Sequence, residues 1–359
     1  MNITIVGGGN VGTQIAVHCA AKGHCVTVYT SKYKQFSEEL NIVNQNGEIT
    51  LSGKIDNATD NTKEAFSDAD VIFVTVPAFY MEKAAGEIIP YVKEGCYVCL
   101  IPGTGGGECA FKDIIDKGAV ICGLQRVPSV ARLVEYGKTV RAIGYRDVLH
   151  ISTLPHAESE RFATIISGIF DKTCEVLPNY LNLTMTPSNP ILHTTRLRSI
   201  FKDYTQGKVY ERLPLFYEEW DDDTSELLFR CDEEVQNVCN AMEEFDLSQV
   251  KSLKVHYESY DVPAFSAKIR SIDGFKGLTT PSKKTEKGLI PDLDSRYFTA
   301  DFSYGLSILI QIASFAGVEV PKMKEVFEWY NNIRIHEGEF NYASYGIETY
   351  RQFKAFYLL

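Results

Sequence analysis

"NITIVGGGNVGTQIAVHCAAKGHCVTVYT", residues 2–30, decides the fold of this chain. It reads as strand, tight turn, helix, turn and strand. Residues 2–6 make an apolar strand, and the glycines that follow force a sharp turn. Gly7, Gly9 and Gly12 satisfy the spacing G-x-G-x-x-G. In that pattern the first glycine permits the turn, the second lets a pyrophosphate approach the backbone, and the third lets helix pack on strand. The helix then offers free N–H groups and the positive end of its dipole to the phosphates. Asn10 and Val11, between the last two glycines, belong to the same cradle. A glycine-rich turn without a ligand is the plainer alternative. Against it stands the context, a strand before, a helix after and a second strand about 20 residues on.

The second strand, "CVTVYT", selects the cofactor. An NAD site calls for Asp or Glu at its end, to bind the ribose hydroxyls. Here the chain continues with Thr30, Ser31, Lys32 and, further on, Lys34. Hydroxyl and ammonium groups suit a 2′-phosphate, which a carboxylate would repel. The sequence therefore favours NADP over NAD.

Working outward, "ADVIFVTVPAFY" (69–80), "GCYVCLIPG" (95–103) and "AVICGLQRVP" (119–128) are further apolar strands. Between them runs a helical pattern, "AFYMEKAAGEIIPYV". Near-continuous apolar strands alternating with helices predict a parallel sheet covered on both faces, with ligands beyond the carboxyl ends of its strands. Pro77, Ala78 and Gly103 would then border the nicotinamide half of the cofactor. The loop "PGTGGGE" (102–108) is rich in backbone and suits close approach. Residues 1–184 are expected to form this Rossmann domain, and residues 185–359 a mainly helical domain for substrate and catalysis.

The whole chain sets bounds on that reading. Its 359 residues exceed one ordinary core and suit two domains. Hydrophobic residues at 45% and charged ones at 23% are globular proportions. No apolar run approaches the roughly 20 residues that span a bilayer. The N-terminus lacks the features of a secretion signal. The expectation is a cytoplasmic protein without a membrane partner. Nine cysteines, an odd count without regular spacing, give no disulfide framework. Cys96 and Cys99 form C-x-x-C on a strand, where residues three apart point to opposite faces, so core packing is expected and no metal. A net charge of −11 without a basic stripe argues against nucleic acid. The clusters "YEEWDDD" (217–223) and "CDEEVQ" (231–236) read as solvated surface. Small-molecule substrates are the expected partners, and a homodimer is the one assembly considered.

After about residue 185 longer helical periods take over. "NPILHTTRLRSIF" (189–201) predicts a helix capped by Ser188 or Asn189, with Pro190 at its first position. His193 lies about one turn in, among Ile191, Leu192 and Leu197. In such company a histidine is more often packed core than catalyst. "DSRYFTADFSYGLSILIQIASFAGVEVP" (294–321) turns helical from about Thr299, placing Asp301 in or near the first turn. On its own Asp301 could simply complement the helix dipole, and Arg296 could be an exposed charge.

Together these motifs decide the matter. N-P-x-x-H at 189–193 with R-Y-x-x-x-D-x-x-x-G-L at 296–306, behind a Rossmann fingerprint, resembles the opine dehydrogenase family, which includes the octopine and nopaline dehydrogenases. The resemblance covers nearly the whole chain. It implies a catalytic dyad at His193 and Asp301, and substrate binding by Arg296 and Asn189. It further implies NAD(P)H-dependent joining of an amino acid's amine to a 2-oxo acid such as pyruvate, through an imine. One position departs from the pattern. Family members often carry an acid before the late aspartate, where this chain has Ala300. Residues 201–260 match no motif and are expected on the amine side of the site; Asp221 to Asp223 could attract a cationic amino acid, though solvated surface is the simpler account. The rival is a plain reductase of the ketopantoate reductase or glycerol-3-phosphate dehydrogenase kind, which shares the nucleotide domain and typically relies on a lysine.

Overall fold

A computed structural model of the chain describes residues 1–334 and 338–359. It divides into two compact units, Met1–Thr184 with Lys354–Leu359, and Met185–Phe353. Residues 354–359 thus cluster with the first unit, and not with the helical residues that precede them in the chain.

The first unit is built on an eight-stranded sheet. From one edge its strands are Thr173–Val176, Val148–Leu154, Val120–Leu124, Tyr97–Leu100, Val71–Val74, Asn2–Val6, Cys25–Tyr29 and Asn57–Thr59. The six strands from Val120–Leu124 to Asn57–Thr59 are mutually parallel. Strands 71–74, 97–100 and 120–124 are buried throughout, which is why their sequences run apolar without alternation. The expectation of a parallel sheet needs one correction. Val148–Leu154 lies antiparallel to Val120–Leu124. The connection between those two is a β-hairpin, Val130–Glu135 with Thr139–Ile143, and not a crossover helix. Helix Ser159–Phe170 then carries the chain across to Thr173–Val176, which is parallel to its neighbour.

That hairpin belongs to a second, four-stranded sheet, ordered Ile49–Lys54, Glu39–Val43, Thr139–Ile143, Val130–Glu135. It packs over helix Asn10–Ala21, whose Ile15, Ala16, Val17 and Cys19 are completely buried. A Cβ at Gly53 would fall 2.8 Å from the Val17 carbonyl, so only glycine lets the strand press this close. Both C-x-x-C thiols are buried and free, at 0% exposure, as core packing requires.

The second unit is mainly helical, with one short hairpin, Ser282–Thr285 against Gly288–Pro291. Helix Ser188–Ile200 carries N-P-x-x-H. It starts at Ser188, with Pro187 in the cap position and no side-chain cap, so neither Ser188 nor Asn189 caps it. The late motif also folds differently from a single helix beginning near Thr299. A short helix, Arg296–Thr299, leads into a π turn, Phe302–Leu306, and then into helix Ser307–Ala316. Gly317, at φ 67°, ends that helix.

Two acidic clusters read as surface are partly structural. Glu234 receives the backbone N–H groups of Lys322 (2.7 Å) and Met323 (2.9 Å), capping helix Pro321–Ile333. Asp232, 2% exposed, accepts from the Leu253 N–H at 2.9 Å, and burial pushes its carboxyl pKa up to about 7. Asp221 caps helix Asp222–Ala241 through the Thr224 N–H and pairs with Arg196 at 2.8 Å. Among the described residues no helix is long and apolar enough to cross a membrane, and no cluster of three or more metal-ligating side chains occurs.

Candidate active site

Parallel strands bring their carboxyl ends to one edge, and most of the predicted cofactor residues lie there. Asn2–Val6 ends at Gly7, whose φ of 104° is open to glycine and costly for other residues. Thr75, just past strand 71–74, fastens this turn. Its hydroxyl donates to the carbonyls of Val6 (2.9 Å) and Gly7 (3.3 Å), and its N–H donates to Val6 at 3.0 Å. A Cβ on Gly12 would sit 1.8 Å from the Gly7 carbonyl oxygen. Gly12 is therefore demanded by the protein's own packing. Gly9 differs: a Cβ there would meet nothing within 4 Å. The protein does not need that glycine, and an approaching ligand would. The helix it opens has no acid in its first turn to compete with a phosphate. The cradle fits a dinucleotide pyrophosphate.

The neighbouring predicted residues sort by what they touch. Asn10 accepts the Leu133 N–H at 2.8 Å, so its side-chain oxygen serves the second sheet. Val11 packs, half-buried, against the core. Thr30 is half-buried and meets the Tyr136 hydroxyl at 3.3 Å. Ser31 and Lys32 are exposed, and the Lys32 ammonium lies 5.3 Å from the Tyr136 ring centroid. Lys32 has no ion pair among the described residues. Pro77 and Ala78 open a 3₁₀ turn and are half-buried. Gly103 is buried, and its missing side chain faces inward: a Cβ would come within 2.8 Å of Gly123 Cα. Internal packing, more than ligand approach, accounts for that glycine. In "PGTGGGE", Glu108 is fully buried. It accepts hydroxyls from Thr184 and, at 2.7 Å, Tyr357, and burial raises its pKa.

In the helical unit the two late motifs converge. His193 Nδ1 lies 2.7 Å from Asp301 Oδ2, across 108 residues of sequence. His193 Nε2 lies 2.7 Å from the Tyr217 hydroxyl. A carboxylate only accepts, so Nδ1 carries the proton, and in the neutral ring Nε2 accepts from Tyr217. Asp301 leads into the π turn, where the Leu306 N–H bonds back to the Asp301 carbonyl at 2.8 Å. A Cβ on Gly305 would be 3.0 Å from Pro190 Cγ, so the glycine of one motif lets it close on the proline of the other. Tyr297 lays its ring 4.5 Å from the imidazole. Arg296 is exposed, without an ion pair among the described residues, and Asn189 is exposed one turn before His193.

Sequence reading missed Thr75, Tyr136, Tyr217 and Arg196. Arg196, one turn beyond His193 and 1% exposed, anchors the segment that carries Tyr217. Its guanidinium donates to the carbonyls of Phe216 (2.8 Å), Leu215 (3.5 Å) and Glu219 (2.6 Å), and to Asp221. Burial drives the Tyr217 pKa far above that of a free phenol, with Tyr297, Tyr257 and Asp301 adding to it. No residue spacing announces any of these four contacts.

Comparison with known proteins finds matches over both halves of the chain. Residues 176–334 match the family model for the NAD/NADP octopine/nopaline dehydrogenase alpha-helical domain. Residues 2–108 match that for the N-terminus of NAD-dependent glycerol-3-phosphate dehydrogenase. The chain is 26% identical over 361 residues to octopine dehydrogenase of Pecten maximus, covering 92% of this chain and 89% of that one. It is 26% identical over 357 residues to tauropine dehydrogenase of Arabella iricolor, covering 91% and 90%. Among solved structures, octopine dehydrogenase with NADH and L-arginine superposes with a TM-score of 0.84 at 24% identity, covering 98% of this chain and 97% of that one.

Proposed function

We propose that the chain, which is similar to the octopine/nopaline dehydrogenases over its helical half and to octopine and tauropine dehydrogenase along most of its length, joins the amine of an amino acid to a 2-oxo acid such as pyruvate and reduces the resulting imine. It is an NAD(P)-dependent oxidoreductase acting on CH–NH bonds. The observation that carries this reading is the 2.7 Å pair of His193 and Asp301, built from two motifs that chain order keeps apart.

In this reading residues 1–184 bind the dinucleotide and the helical residues that follow bind substrate. The Arg296 guanidinium, exposed and without an ion pair among the described residues, holds the oxo acid's carboxylate through two parallel N–H donors. Asn189, on the same helix face as His193, contributes a further polar contact. His193 takes a proton as the amine adds to the carbonyl and returns it as water leaves. Asp301 fixes the ring's tautomer and stabilises the imidazolium. Gly9 and the N–H groups of helix 10–21 seat the pyrophosphate, Pro77 and Ala78 border the nicotinamide, and the bound cofactor supplies the hydride.

NADP is the favoured cofactor. Supporting it are the hydroxyls of Thr30 and Ser31, the missing carboxylate at the end of strand 25–29, and the exposed Lys32 ammonium, which has no ion pair among the described residues. A cytoplasmic setting fits the nine unpaired cysteines.

The test is NADPH oxidation with pyruvate and a panel of amino acids, each repeated with NADH and without amine. Amine-dependent oxidation is expected. Oxidation with the oxo acid alone would transfer the assignment to a plain reductase, the reading favoured by the glycerol-3-phosphate dehydrogenase match of residues 2–108.

A further inference from the structure

Both ring nitrogens of His193 are engaged, Nδ1 by Asp301 and Nε2 by Tyr217, each at 2.7 Å. The Nδ1 proton is held by the carboxylate, so the imidazole must exchange protons at Nε2. What meets Nε2 is a phenol hydroxyl belonging to a residue only 3% exposed. Tyr217 is also held in place. Its ring stacks on Phe275 (4.1 Å, 16°), lies parallel to Trp220 (6.4 Å, 6°) and meets Phe216 edge-on. Arg196 ties down the backbone on either side through Leu215, Phe216 and Glu219. Swinging the phenol aside would break this stack, so the hydroxyl stays on Nε2. Tyr297, whose ring lies 4.5 Å from the same imidazole, is half-buried and adjoins Arg296.

We propose that the proton His193 exchanges passes through the Tyr217 hydroxyl, with Tyr297 as the outer member of the relay that meets the substrates. The inference rests on the function proposed above. As water leaves, Nε2–H⁺ passes its proton to the Tyr217 oxygen, Tyr217 passes its own to Tyr297, and Tyr297 passes its own to the carbinolamine hydroxyl. The C–O bond breaks, the nitrogen lone pair forms C=N, and the positive charge moves from imidazolium to iminium. Run in reverse, the relay carries the proton lost by the attacking amine to His193. Neither tyrosine need become phenolate at any point, which suits a phenol whose burial resists ionisation.

Tyr217→Phe keeps the ring and its stacking and removes only the oxygen. With amine and oxo acid its kcat should fall about 10²-fold, at the low end of what general acid–base groups contribute. Cofactor affinity and melting temperature should barely change. Tyr297→Phe should also slow turnover, and the curved dependence of wild-type kcat on D₂O fraction should straighten in Tyr217→Phe. Activity within about threefold of wild type, or above it, would overturn the relay. A second readout needs no turnover: the ¹⁵N resonance of His193 Nε2, identified with His193→Ala, should move in Tyr217→Phe. An unmoved resonance overturns the proposal even if opine formation is confirmed. A moved resonance without amine-dependent turnover in wild type supports the contact and counts against the function.

Discussion

His193 shows how little one residue reveals until its partners are known. In sequence it is a polar ring among aliphatic side chains; in the fold it is clamped between a carboxylate and a phenol. If it carries the proton, His193→Ala should lower turnover by roughly 10²–10⁴ while leaving NADPH affinity nearly intact, as a fluorescence titration would show. Lys32→Glu makes the opposite split. Replacing the ammonium near a 2′-phosphate by a carboxylate should weaken NADPH about 10–100-fold and NADH little. Equal weakening of both would undo the preference for NADP. The meeting of His193 with Asp301 was legible because motif spacing marks both. Tyr217 was not, because its contact with His193 depends on where Arg196 pins a loop 24 residues further on.

Secondary elements explain why the pair meets. Asp301 lies where a short helix passes into a π turn, and such wide turns re-aim side chains that a regular helix would space evenly. Sequence periodicity predicts one helix there and cannot register the extra residue. It also read Glu234 and Asp221 as solvated charges. Both cap helices, a role set by which N–H groups the fold brings near. Arg196 joins helix 188–200 to the loop that carries Tyr217. Arg196→Met strips donors from three carbonyls and a carboxylate, and should cost about 3 kcal/mol or more in urea unfolding. A loss below 1 kcal/mol would show that the loop holds itself.

At the scale of the molecule, the nucleotide-binding half was the easier part to read. Buried parallel strands advertise themselves as apolar runs. The four-stranded sheet over helix 10–21 went unseen because its outer strands, Ile49–Lys54 and Val130–Glu135, are largely exposed and carry no continuous apolar run. Stability as a whole should carry the mark of Asp232. Burial lifts its pKa from 3.8 to about 7, so the folded protein holds a proton that the unfolded chain gives up. That contribution is complete below about pH 4 and is lost as pH rises toward 7, on the order of 2–4 kcal/mol. Asp232→Asn should therefore match wild type near pH 4, exceed it at pH 8, and flatten the melting profile between. A variant less stable than wild type at pH 8 would refute this.

The return of Lys354–Leu359 to the first unit bears on how the protein is made. Tyr357 supplies one of the two hydroxyls on the buried Glu108 carboxylate, and the Leu359 carbonyl accepts the His156 N–H at 2.8 Å. A ribosome delivers these residues only after all of Met185–Phe353. The nucleotide-binding half, though translated first, must wait on the growing chain with Glu108 half satisfied until its last segment emerges. The helical half, translated later, needs no such wait, and stalling or clipping near residue 354 would damage the half synthesised earliest.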